Sequence, residues 1–276
     1  MGYFQELVSS SIIALREVFE ASILVSIVTA TLRRLGKSNL LRYVYLSVVL
    51  SVIVGLLAGG LLWTIYGYFP SKELVEAVFA IVAAILITTV IYWMARVGPT
   101  IAQHVEERVA IISSAKGVMY FTLIIVSREV IETILLSAPF LVRNPLLSAT
   151  GIVLGAVIAV LIAYTFYIAS TRISLRRFFL YTSIVLVLIA SGLVGYGVHE
   201  LLEWVSEERN YSGLLVVQVY NLDLPRSHPL ADNGWAGSLL SVLLGYSDEM
   251  KLGRVATQFP YLVASLVLVL RAYRRK

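Results

Sequence analysis

No cysteine occurs in the 276 residues, which rules out disulfides, thiolate zinc sites and cysteine-held iron–sulfur clusters. Histidine is nearly as scarce. With three in all, His104, His199 and His228, the chain lacks the histidine boxes of membrane oxygenases. Charge is thin too: Asp, Glu, Lys and Arg make up 14% of the residues, where a soluble domain carries about 25%. The N-terminal stretch MGYFQELVSS has neither a basic n-region nor a small-residue cleavage pattern, so the first apolar block is expected to be a retained helix.

What the chain has instead is apolar length. Hydrophobic residues make up 59% and the mean hydropathy is +0.86. They fall in blocks that exceed the roughly 18 residues a bilayer-crossing helix needs. Seven spans are expected near 8–32, 43–68, 74–97, 117–142, 147–170, 177–203 and 255–272. The last is the weakest, carrying Gln258 and Pro260. Between the sixth and seventh, in the long connection 204–254, the run Trp235 to Tyr246 is too short to cross and reads as an interfacial or re-entrant helix. The fold class is therefore an all-α polytopic membrane protein, 1–276 forming one membrane domain.

The net charge of +5 does not indicate nucleic acid, because the basic residues lie between the apolar blocks, where membrane flanks lie. Fourteen of them gather on one set of connections: Arg33, Arg34, Lys37 and Arg42; Arg96, Arg108 and Lys116; Arg172, Arg176 and Arg177; Arg271, Arg274, Arg275 and Lys276. Six lie on the other: Lys72, Arg143, Arg209, Arg226, Lys251 and Arg254. The positive-inside rule then places the N-terminus outside and the C-terminus in the cytoplasm. Eleven of the 17 acids, Glu6, Glu73, Glu76, Glu200, Glu203, Glu207, Glu208, Asp223, Asp232, Asp248 and Glu249, fall on or near the outer face. That is either an acidic mouth that concentrates cations or an ordinary solvated surface.

Two spans break the apolar rule in the same way. The first contains Arg16, Glu17 and Glu20 near its middle, the fourth Arg128, Glu129 and Glu132, each as Arg-Glu-x-x-Glu and 112 residues apart. At about 0°, 100° and 40° around a helix, the three side chains share a face. Six charges at helix centres cost about 15–20 kcal/mol in total before pairing. Pairing Arg16 with Glu20 and Arg128 with Glu132 at i,i+4 would offset part of that, in the weaker orientation for such pairs, and leaves Glu17 and Glu129 without an obvious partner. The first and fourth spans run antiparallel. The chain thus reads as an inverted three-plus-three repeat (1–97 and 117–203) with a seventh helix and basic tail at 255–276, an architecture that places ions at the midplane between halves.

Four carboxylates converging there form an all-oxygen site suited to Fe(III), Fe(II), Mn(II), Mg or Ca. With two arginines counted, its net charge is near −2. Glu73 and Glu76 on the third span, Glu200 and Glu203 beside His199 on the sixth, and Asp248 with Glu249 after the short helix read equally as outer relay ligands or as ordinary interfacial acids. Gly55, Gly59 and Gly60, and Gly192, Gly195 and Gly197, read as packing contacts. A membrane di-metal carboxylate oxidase or hydrolase is the competing class, but helical di-iron sites recruit histidine through Glu-x-x-His, which neither motif contains. A proton-coupled carrier without metal is the third.

On those residues the chain resembles the oxidase-dependent iron permeases, fungal and bacterial, whose hallmark is the paired motif, here Arg16-Glu17-Val18-Phe19-Glu20 and Arg128-Glu129-Val130-Ile131-Glu132. KELVEAVFAIVAAIL, TSIVLVLIASGLVGYGVHELLEW and LLGYSDEM extend the likeness over nearly the whole chain. The resemblance implies a multi-pass permease of the cytoplasmic membrane, seven helices with the N-terminus outside, and iron carried by the motif glutamates as transported substrate without a cofactor or catalytic turnover. It also implies a separate oxidase or an iron-binding protein outside the membrane as partner, with manganese or lead as alternative cargo. The family often has Gly-Leu inside the motif where this chain has Val-Phe and Val-Ile, so looser helix contact is expected there.

Overall fold

A computed structural model describes residues 3–112, 114–169, 175–209, 213–225, 228–231 and 234–274. Arg172, Arg226, Asp232, Arg275 and Lys276 lie outside the described residues. Among those described, eight helices form: α1 (Tyr3–Arg34), α2 (Leu41–Tyr68), α3 (Lys72–Ile111), α4 (Ala115–Arg143), α5 (Pro145–Ala169), α6 (Leu175–Arg209), α7 (Trp235–Leu244) and α8 (Leu252–Arg274). The chain is thus an all-α, multi-pass membrane protein. Five helices are long and apolar enough to cross a bilayer: Ser38–Tyr68, Lys72–Arg96, Pro145–Thr165, Phe178–Glu208 and Leu252–Arg274. Those left out are α1 and α4 with the short α7. Both α1 and α4 are long, at 32 and 29 residues, but carry the charged motifs at their centres.

Two local features go beyond the sequence reading. The third span, Lys72–Arg96, agrees with its expected bounds, and the helix that carries it, α3, continues past it through Gly98 and Pro99 to Ile111. Its extension meets the α1–α2 connection, where Arg34 pairs with Glu106 at 2.5 Å and Lys37 donates to the carbonyl of Ile112 at 3.0 Å. The long connection holds, besides α7, a two-stranded antiparallel ribbon of β1 (Gln218–Asn221) and β2 (Glu249–Lys251), which apolar periodicity had not disclosed.

Helices pair in a crossed pattern: α1 packs on α5, α2 on α4 and α3 on α6, with α1 against α4 at the centre. Small residues allow the first two pairs. A Cβ at Gly151 or Gly155 of α5 would run into the backbone of α1 at Leu7 and Ser11. Gly55 of α2 is likewise covered by Val130 of α4, with Ile134 over Gly59. Hydroxyls add to the α2–α4 seam: Ser47 donates to the carbonyl of Met119 at 2.9 Å and Ser127 to Ser51 at 3.0 Å. Close backbone approach and interhelical hydrogen bonds are what hold helices together where lipid removes the hydrophobic drive. The valine inside the second motif therefore seats on a glycine, and contact there is close, not loose.

The ends give the directions. Arg143, at the end of α4, pairs with Glu6 at the start of α1, at 3.7 Å. At the opposite end, Leu24, Val28 and Leu32 of α1 share an apolar cluster with Val118 of α4. Helices α1 and α4 are therefore antiparallel. On the Glu6 side, α7 ends on Gly245 in the left-handed conformation (φ 62°). There Gln258 donates to the carbonyl of Leu244 at 2.7 Å and Arg254 to that of Gly245 at 3.0 Å, so polar residues of α8 clasp the short helix to the bundle. Gln258, which weakened the seventh span as a sequence, has this structural use.

Replacing Gly155 with Leu drives a side chain into the α1 backbone and is expected to abolish recovery of monodisperse protein in mild detergent by fluorescence-detected size exclusion. Gly60→Leu, at a site where nothing lies within 4 Å of an added Cβ, leaves it unchanged. Equal recovery of both variants contradicts the packing described.

Candidate metal centre

Arg16, Glu17 and Glu20 point from α1 into the bundle with 1%, 0% and 2% of their surface exposed. An isolated ion so enclosed costs several kcal/mol, and the chain meets that cost locally. The guanidinium of Arg16 donates through Nη1 to Oε1 of Glu17 and lies 3.7 Å from Glu20. The expected i,i+4 pair of Arg16 with Glu20 is present, and Glu17, which the helical wheel leaves without a partner, takes the hydrogen bond from the same guanidinium.

The second motif keeps the expected pairing. Arg128 donates through Nε to Glu132 at 2.7 Å, and Glu129 lies 3.8 Å from Nη1. Here the environment is asymmetric. Glu129 is buried, but the side chains of Arg128 and Glu132 are 39% and 18% exposed. They border an open recess of 380 Å³ shared with Thr89, Val90 and Trp93 of α3. The guanidinium sits 4.2 Å from the Trp93 ring centroid, a cation–π contact that steadies a partly desolvated charge.

Across the α1–α4 contact, one carboxylate oxygen from each of Glu17, Glu129 and Glu132 comes within 4.8 Å of the others. Glu20, expected as the fourth ligand, falls outside that group of three and lies instead 3.7 Å from Arg16. Several of these carboxylate oxygens have no hydrogen-bond partner among the described residues: Oε2 of Glu17 and Glu132, and both oxygens of Glu20 and Glu129. Oxygens so close, buried and short of donors repel one another unless a cation or protons lie among them. Three or four carboxylate oxygens at that spacing suit a hard or borderline cation.

The acids expected on the outer face divide. Glu76 accepts from the hydroxyls of Tyr66 (2.9 Å) and Tyr196 and lies 3.7 Å from Arg143. It therefore anchors a polar cluster with Glu6 at the mouth of the α1–α4 seam. Glu200 and Glu203 gather with His199 on α6, ligand atoms within 4.8 Å, and His199 faces Glu203 at 3.4 Å. Glu249 is engaged by Gln218 within the ribbon and Asp248 precedes it there; Glu73 stands half-buried in the first turn of α3. Sequence reasoning passed over Trp93, Arg143, Tyr66 and Tyr196. The tyrosines and Arg143 carried a weak signal, as polar-tipped residues near span ends facing an acidic patch. Trp93 carried none.

The sequence model of the Iron permease FTR1 family matches residues 7–271. An uncharacterised protein of Archaeoglobus fulgidus is 35% identical over 275 residues, 98% of this chain and 97% of its own. A ferrous iron permease EfeU of Yersinia pestis is 27% identical over 268 residues, covering 93% and 91% of the two chains. One of Escherichia coli, with the same printed name, is 27% identical over 269 residues, covering 93% and 92%. No solved structure matches the chain.

Because Arg16 is enclosed against two carboxylates while Arg128 is half-exposed, the two arginines should differ in worth. Arg16→Gln is expected to destabilise the protein by about 3–5 kcal/mol, and Arg128→Gln by no more than about 1 kcal/mol, measured by denaturation in mild detergent. Equal losses at both positions contradict the asymmetry.

Proposed function

Because the chain belongs to the iron permease FTR1 family, we propose that it imports iron across the cytoplasmic membrane through the carboxylates of α1 and α4. The observation that carries this reading is the meeting of Glu17, Glu129 and Glu132 from two antiparallel helices within 4.8 Å, the first two buried and Glu132 at the edge of a recess. Near the middle of each helix, charge is too costly to serve packing alone. A cation entering the group neutralises the carboxylates that the two arginines leave uncompensated, so burial and capture are the same event.

The crossed pairing of α1 with α5 and α2 with α4, around the α1–α4 and α3–α6 contacts, supports the inverted repeat of 1–97 and 117–203. Each motif helix then leans on the glycine-bearing second helix of the other half. The bias of basic residues toward the face holding Arg33, Arg34 and Arg108 supports a cytoplasmic placement of that face and an outer placement of the N-terminus. Seven spans follow, with α1 and α4 crossing inside a sheath of apolar helices. Glu76, Glu200, Glu203, Asp248 and Glu249 lie on the outer side in this reading and act as the approach, with Glu73 at its edge. A separate oxidase, or an iron-binding protein outside the membrane, would deliver the ion there.

Uptake of radioactive iron into an uptake-deficient host tests the assignment. The intact chain is expected to restore uptake, and Glu17→Gln or Glu129→Gln to abolish it at equal membrane abundance. Undiminished uptake by either variant would overturn the role of the site, and competition by manganese or lead in the same assay ranks the cargo.

A further inference from the structure

Serine in a membrane helix ordinarily donates back to the carbonyl four residues earlier, which quiets its hydroxyl. Ser11, Ser22 and Ser26 of α1 do so at 2.7 Å. Ser9 and Ser10 on the same helix do not, nor does Ser137 of α4. Each is fully buried, with an Oγ that has no hydrogen-bond partner among the described residues. A buried hydroxyl left unsatisfied costs about 1–3 kcal/mol, and three of them in one seam call for something that passes between them.

Their positions are informative. Ser10 precedes Glu17 by seven residues, two helical turns, so it stands on the same face about 10 Å nearer the Glu6 end. Ser137 follows Glu129 by eight residues on the antiparallel helix, which puts it at a similar height, about 12 Å along the axis and about 80° around it from its glutamate. Ser9 borders a small cavity of about 10 Å³ with Gln5, Pro139, Arg143, Tyr196 and Ser241, close to the least volume that holds a water. Gln5 and Glu6 above it are themselves more than nine-tenths buried, each with an oxygen that lacks a partner among the described residues. Between the Glu6–Arg143 contact and the motif carboxylates, α1 and α4 thus carry several buried oxygens without a hydrogen-bond partner among the described residues.

On the other side of the motifs, Thr122 of α4 is fully buried and its hydroxyl, too, has no partner among the described residues. It precedes Glu129 by seven residues, as Ser10 precedes Glu17. Because the two helices are antiparallel, the equivalent hydroxyls lie on opposite sides of the carboxylates. Beyond Thr122, Leu24, Val28, Val105, Val109 and Val118 close an apolar cluster.

We propose that the α1–α4 seam is the ion's path, with Ser10 and Ser137 as oxygen waypoints between the Glu6 end and the carboxylates, and Thr122 as the matching waypoint on the far side, behind an apolar seal. This rests on the permease reading for the cargo, but the path itself has a readout that needs no transport. Neutral hydroxyl oxygens can stand in for some of the waters that a partly hydrated divalent cation gives up. Hydroxyls can therefore hand the ion on without trapping it as further carboxylates would.

The cysteine-free chain makes the test direct. Single variants Ser10→Cys, Ser137→Cys and Thr122→Cys, with Ser22→Cys as the control, are treated in sealed membrane vesicles of each orientation with a small cationic methanethiosulfonate, and modification is read by mass shift. Ser10→Cys and Ser137→Cys are expected to react from the Glu6 side many-fold faster than Ser22→Cys, and ferrous iron to slow them. Thr122→Cys is expected to resist reagent on that side and to react, if slowly, from the other. Reaction of Ser10→Cys and Ser137→Cys no faster than the control would overturn the path, even if the intact chain imports iron. The expected labelling in a protein that imports none would keep the path and overturn the cargo. Ser10→Ala, which removes only the oxygen, should reduce uptake several-fold while iron binding to the purified protein persists; unchanged uptake counts against the waypoint.

Discussion

Charge enclosed at mid-helix is the constraint on which the bundle is built. The Arg16–Glu17 contact, with Glu20 beside it, sits where neither water nor lipid headgroups reach. An uncompensated ion there would cost more than a membrane protein's margin of stability. Helices α1 and α4 must therefore lie at the centre, screened by α2, α3 and α5, and those neighbours can be almost wholly apolar. The same constraint explains why the two helices with the decisive chemistry are those least like membrane spans by composition.

Close packing then sets the distance between the charged faces. Glycines at 151 and 155 let α5 approach the backbone of α1, and Gly55 accepts Val130 of α4. Each motif helix is thereby pressed from behind while facing its counterpart. Polar fastenings at the ends, Arg143 with Glu6 and Glu76 on one side and Arg34 with Glu106 on the other, fix the lengthwise register at which Glu17 meets Glu129 and Glu132. A shift of one residue, about 1.5 Å along the axis and about 100° around it, would separate them.

The two motifs are alike in sequence and unlike in surroundings. Arg16 is sealed; Arg128 lies against Trp93 at the edge of a recess. Polarity along the seam is unequal as well, with oxygens toward the Glu6 end and an apolar cluster toward the other.

Much of this was legible from residue order. Apolar blocks announced the helices, and the length of Trp235 to Tyr246 marked α7 as a short one, because burial in lipid leaves no other satisfied backbone than a helix. Apolar length marked the third span, which ends near Arg96, but carried no sign that the helix runs on to Ile111, because that extension is polar. Ribbon pairing between Gln218–Asn221 and Glu249–Lys251 joins segments some thirty residues apart in the chain, and local pattern carries no record of such pairing. The paired Arg-Glu-x-x-Glu runs marked the two helices whose glutamates the structure brings together.

Residue order by itself determined which helices form, which two carry charge, and what kind of ion such acids prefer, for these follow from side-chain chemistry and the period of a helix. Only the tertiary structure decided that Arg16 takes Glu17 as well as Glu20, that Glu132 and Arg128 stay partly open beside Trp93, and that the buried hydroxyls of Ser10 and Ser137 find no partner among the described residues. Each depends on what a side chain meets across an interface, and that is settled by register between helices distant in the chain.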